Sequence, residues 1–74
     1  MSTQDHNKLD YIIAVISEFA SHFTLSQTQA YRYLARYNAI DFIDRNYDIE
    51  HTYSFDNVID DIALYCRNHG GELV

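Results

Sequence analysis

The chain has 74 residues, with eleven Asp or Glu against five Lys or Arg, a formal net charge of −6 and a single cysteine. A domain this short buries only about 60–65% of the surface its unfolded chain exposes, and one thiol cannot close an internal bridge, so a disulfide framework is excluded. The acidic balance works against phosphate backbones and favours basic partners.

One domain over residues 1–74 is expected, with 1–6 and 72–74 as tails. The opening MSTQDHNKLD carries one Lys and no apolar stretch, so it does not read as a secretory signal. The longest apolar run, YIIAVI at 11–16, falls far short of the roughly 20 residues of a spanning helix. A lone thiol suits a reducing compartment, and a cytoplasmic protein is predicted. With no proline, and glycine only at Gly70 and Gly71, the chain has few means of making tight turns, which argues against an all-β fold.

The first periodic segment is KLDYIIAVISEFASHF. Leu9, Ile12, Ile13, Ile16, Phe19, Ala20 and Phe23 recur at helical spacing, and Tyr11 and Val15 widen the stripe, which predicts a central helix over about 7–23. In LSQTQAYRYLARYN, Ser26 followed by Gln29 fits a capping box, Ala30, Tyr31, Leu34 and Tyr37 form the inner stripe, and Asn38 terminates. Ile40, Ile43 and Tyr47, with Phe42 beside them, give a short helix of about two turns, with Asp41 near its positive end and Arg45 toward its negative end. The stretch DIEHTY reads as irregular or briefly extended. Ser54 then caps a last helix whose inner face is Phe55, Val58, Ile59, Ile62, Tyr65 and Cys66, and Gly70 supplies the left-handed residue that ends it. The fold class expected is all-α: a compact bundle of three main helices plus one short one, with Ile12, Ile16 and Phe19 packed against Val58, Ile59 and Ile62.

Residues 41–61 hold seven acids (Asp41, Asp44, Asp48, Glu50, Asp56, Asp60, Asp61) and one base, Arg45. Ser54 and Asp56 are accounted for by capping. His51 has carboxylates nearby but no paired-ligand spacing, and a calcium loop would need regularly spaced oxygens and a central glycine, so no metal and no cofactor is expected. Cys66 on an apolar helix face behaves as a small hydrophobe, and no catalytic set surrounds it. His51 and Thr52 are expected to tie down free backbone groups, with partner recognition as the functional alternative. Seven tyrosines, apolar in body and polar at the tip, suit half-buried and interface positions.

The run YDIEHTYSFDNVIDDIALYC, preceded by AYRYLARYNAIDFIDRNYD, resembles a family of short bacterial proteins of unknown function. Members are often encoded beside ADP-ribosyltransferase-like proteins, an arrangement of the toxin–antitoxin or effector–regulator kind. The positions that match are Tyr47, His51, Thr52, Ile59, Asp61 and Ile62, and the similarity covers roughly residues 9–69. The resemblance implies a small helical partner protein and carries no catalytic residue with it.

The expected function is therefore non-enzymatic: binding of another protein, basic or nucleotide-using, through an acid-rich, tyrosine-bearing surface. Asp44, Asp48, Asp60 and Asp61 are the expected rim, Tyr33 and Tyr53 the anchors, and His51 an additional contact. The alternative is a helix-turn-helix-like regulator that reads DNA through Arg32 and Arg36. That helix lacks flanking lysines to grip phosphates, and the segment after it, DFIDRNYD, brings acids toward them, so nucleic acid is the less favoured partner. Self-association is a third option.

Overall fold

A computed structural model describes residues 3–71. Five helices follow in chain order: α1 (Thr3–His22), α2 (Gln27–Arg36), α3 (Ala39–Arg45), α4 (Tyr47–Glu50) and α5 (Phe55–Asn68). No strand occurs among the described residues, so the domain is all-α. The long α1 packs against α2, α3 and α5, and α3 links α4 and α5 to the rest. Residues 3–6, expected as part of a tail, belong to α1; residues 1–2 and 72–74 lie outside the described residues.

Two of the helices start on a serine cap. Ser26 Oγ accepts from the Gln29 N–H at 3.0 Å and Gln29 Oε1 accepts from the Ser26 N–H at 2.9 Å, so two free donors at the start of α2 are satisfied reciprocally. At α5 the cap runs one way: Ser54 Oγ accepts from the Asn57 N–H at 3.3 Å. Position N3 here is an Asn, too short to reach back.

Helix α5 ends as its glycines require. Gly70 takes φ +97°, the Gly71 N–H returns to the Cys66 carbonyl at 2.7 Å, and the Gly70 N–H to that of Arg67 at 3.2 Å. A Cβ on Gly71 would stand 2.5 Å from the Tyr33 hydroxyl, so a side chain there would have to displace the Tyr33 ring. The end of α1 uses the same hydrogen-bond pattern, Leu25 N–H to the Ala20 carbonyl at 2.8 Å, but with Thr24 at φ 57° where a glycine is usual.

The core comprises Val15, Phe19, Ala20, Ala30, Leu34, Ala39, Ile43, Val58, Ile59, Ile62 and Cys66, all buried. Ile12 and Ile16 pack against it from the side, half-buried, and α1 and α5 are in contact. Four details correct the sequence reading. Val15 is fully buried while Leu9 and Ile13 are exposed, because α1 is turned so that neighbours cover only part of the broad apolar stripe. On α2, Tyr31 is 53% exposed, and Tyr33 is the ring that turns inward, stacking on Phe19 at 5.9 Å. Phe55, assigned to the inner face of α5, sits one position into the helix and remains 39% exposed. Finally, DIEHTY is not irregular: its first residues close the single turn α4, bonded by Glu50 N–H to the Asn46 carbonyl at 2.8 Å.

Candidate functional site

The single turn α4 decides what the corner between α3 and α5 looks like. Ile40, Ile43, Tyr47 and Glu50 follow one another at three, four and three residues, so the inner stripe of α3 runs on through α4 and ends on a carboxylate. Glu50 is only 5% exposed, whereas Ile49 beside it points outward. Tyr11 from α1 meets this turn: its ring lies edge-on to Tyr47 at 5.4 Å and stacks with Phe55 of α5 at 6.2 Å. The Tyr11 hydroxyl and Glu50 Oε2 are both buried without a hydrogen-bond partner. A buried polar atom left unpaired costs on the order of 1–3 kcal/mol, a cost that falls on the Tyr11 hydroxyl, whereas the Glu50 carboxyl has the Asp61 carboxyl beside it.

The electrostatics follow from burial. Burial, with the Asp61 carboxylate beside it, holds the Glu50 carboxyl above the usual carboxylate range, and the two carboxyl groups are placed to hydrogen-bond. Two ionised carboxylates can only accept, so that bond exists only when one of them carries a proton. Burial, then the nearby Glu50 and Tyr47, pushes the Tyr11 hydroxyl up to about 12.

Asp61 also faces outward. With Tyr53, Asn57 and Asp60 it lines an open cleft of about 430 Å³ at the start of α5. Three of the residues expected at a partner surface, Tyr53, Asp60 and Asp61, thus meet in one place, and Tyr53 is 47% exposed. His51 and Thr52 sit just before it and do the backbone work expected of them. His51 Nδ1–H donates to the Tyr47 carbonyl at 2.6 Å, and the ring stacks on Tyr47 at 4.6 Å. Thr52 Oγ1 donates to the Ile49 carbonyl at 2.6 Å.

The remaining predicted residues are elsewhere. Asp48 is exposed on α4. Asp44 pairs with Lys8 at 3.2 Å and borders a second cleft with Ile12, Tyr31 and Ile40. Tyr33 is taken up by Phe19 and Tyr37 and is half-buried. A further groove, lined by Ile13, Ile16, Ser17, Gln27, Thr28 and Tyr31, runs between α1 and α2 and is mostly apolar. Sequence reasoning missed Glu50 and Tyr11 as site residues. For Glu50 a signal was present, since extending the spacing of Ile40, Ile43 and Tyr47 by one step lands on it.

Among the described residues no three of His, Cys, Asp and Glu stand close enough together to hold a metal ion. The Cys66 thiol is buried, and burial pushes it up to about 11, so it is held as the unreactive thiol. No described helix is long and apolar enough to cross a membrane.

Fold and site together define a small acidic helical domain with a carboxylate-lined cleft at the start of α5. The family model described as "Protein of unknown function (DUF3791)" matches residues 10–69, and the chain belongs to that family. Neither the curated proteins nor the solved structures contain a match.

Proposed function

We propose that this protein is a non-enzymatic interaction module, an antitoxin-like or regulatory partner of an effector encoded beside it, that binds through the acidic cleft at the start of α5. The observation that carries the reading is the meeting of Tyr53, Asp60 and Asp61 in one open cleft. An exposed ring beside two carboxylates suits a basic side chain: the ring supplies area and a cation-attracting face, and the acids supply charge. A net charge of −6 draws basic partners over distance and sets the encounter rate more than the final affinity. The resemblance to bacterial proteins encoded beside ADP-ribosyltransferase-like proteins supplies the class of partner. A cytoplasmic setting, where the single thiol stays reduced, fits that role.

The test is co-purification of the neighbouring gene's product with this protein, quantified by titration. Wild type is expected to bind, and Asp60→Lys/Asp61→Lys to weaken binding by at least about tenfold with the helical circular dichroism unchanged. Equal affinity of wild type and the double variant would overturn the reading. A gel-shift series at varied salt decides the DNA alternative. Arg32 and Arg36 are exposed on α2, and a DNA reader using them would bind duplex at low salt and lose it steeply as salt rises; no shift is expected at any salt.

A further inference from the structure

The apolar groove between α1 and α2 and the cleft bordered by Asp44 are one surface, because the exposed ring of Tyr31 lines both. Ile13 and Ile16 line the groove, and Ile12 and Ile40 line the cleft, so an apolar strip runs along α1 and α2 and on to α3. Leu9, four residues before Ile13, continues the strip on α1, and both are about half exposed. The groove is lined by no charged residue, in a chain whose net charge is −6. Polar groups at its end are already paired, since Gln27 Nε2–H donates to Ser17 Oγ at 2.5 Å from one helix to the other. A face with this lining loses its water at little cost.

We propose that this face joins two copies of the chain about a two-fold axis. The placement of charge is the argument for a second copy over any other occupant. In a two-fold interface one patch meets itself, so opposite charges must stand at two different places on the same face. Asp41 and Asp44 line its α3 end. Arg32 lies four residues after Thr28 and three before Ala35, which puts it on the outer edge of the same face of α2. It is exposed and, among the described residues, makes no ion pair. An axis near Ala35 and Asn38, between the cation and the acids, brings Arg32 of each copy to the Asp41–Asp44 end of the other. Both acids have side chains at least half exposed, and their pairs with Arg45 at 2.8 Å and Lys8 at 3.2 Å are weak surface pairs, so the carboxylates remain open to a second cation. The apolar strip supplies the attraction, and the two symmetric Arg–Asp contacts set the register.

This assembly draws on none of Tyr53, Asn57, Asp60 and Asp61, so it stands or falls apart from the partner reading. It gives Arg32 a place within the protein's own assembly, where a purely basic partner would meet an unmatched cation on this face.

The experiment is sedimentation velocity on the full chain from about 1 μM to about 500 μM, with circular dichroism of each variant and amide NMR of the wild type over the same dilution series. A monomer–dimer equilibrium is expected, with dilution shifts gathered at Ile13, Tyr31, Arg32, Ala35 and Asp44. Ile13→Glu, at an exposed position outside the core, is expected to weaken dimerisation at least about tenfold by placing a carboxylate in the apolar strip, and Arg32→Glu to weaken it by about tenfold, both with the helical signal unchanged. Leu64→Glu, on the exposed side of α5, and Asp60→Lys/Asp61→Lys are expected to leave it as it is. A wild type that stays monomeric throughout overturns the inference; if Ile13→Glu then weakens binding of the neighbouring gene's product, the face belongs to a partner protein instead. A dimer that survives Ile13→Glu and Arg32→Glu, or that Leu64→Glu dissolves, also overturns it, as do dilution shifts confined to other faces, a result that relies on no variant.

Discussion

The corner between α1 and α2 and the corner between α4 and α5 each start a helix on a serine, yet they bury different things. At the first, Ser26 and Gln29 satisfy each other's backbone donors, and the side chains beneath are Phe19, Ala30 and Leu34, all fully buried. At the second, Ser54 caps in one direction only, and the corner holds a buried tyrosine hydroxyl with no partner and a buried glutamate beside Asp61. The first corner is assembled for stability. The second holds a buried carboxyl under an acidic surface, at a cost in stability.

Stability measurements should separate the two corners. The largest effect is expected from Leu34→Ala beneath the first, a loss of about 3 kcal/mol from a missing core side chain, read from the urea midpoint. Next comes Glu50→Gln, which is expected to stabilise by about 1–2 kcal/mol near neutral pH by removing a buried ionisable group. The sign reverses the usual behaviour of a paired carboxylate. Because folding raises the pKa of Glu50, its favourable contribution is fully present below the unfolded carboxylate value and is lost as pH rises through the folded one. The gap between Glu50→Gln and wild type should therefore close on acidification; a gap that is constant from about pH 4 to pH 7 would contradict the assignment.

Ser26→Ala is expected to cost about 1 kcal/mol, and Ser54→Ala less, since only one of the two caps is reciprocal. Tyr11→Phe should gain up to about 1 kcal/mol by deleting an unpaired hydroxyl while keeping the ring against Tyr47, and a loss in the same denaturation experiment would show that the hydroxyl does find a partner. The smallest effect is expected at Asp41→Asn, which removes an exposed i,i+4 pair with Arg45 at 2.8 Å and should change stability by under about 0.5 kcal/mol.

Much of this was legible in the sequence. The helical class, the capping box at Ser26, the cap at Ser54, Asn38 as the terminator of α2 and the Gly70 terminator are local matters, decided by a few neighbouring residues and the hydrogen bonds a chain end must satisfy. The same holds for His51 and Thr52, whose partners lie three and four residues away. The gathering of Tyr53, Asp60 and Asp61 was readable for a similar reason, since they lie within one helix start of one another.

What the tertiary structure alone decided is which way each helix faces. Periodicity gives α1 a stripe broad enough to bury Ile13 or Val15 and leaves α2 a choice between Tyr31 and Tyr33; the packing of the helices on one another buries Val15 and turns Tyr33 onto Phe19. Glu50 is the strongest case. A carboxylate's preference for water is a local property, but its burial depends on α1 and α5 closing over a turn that the sequence reading left irregular, and composition has no term for a neighbour that distant.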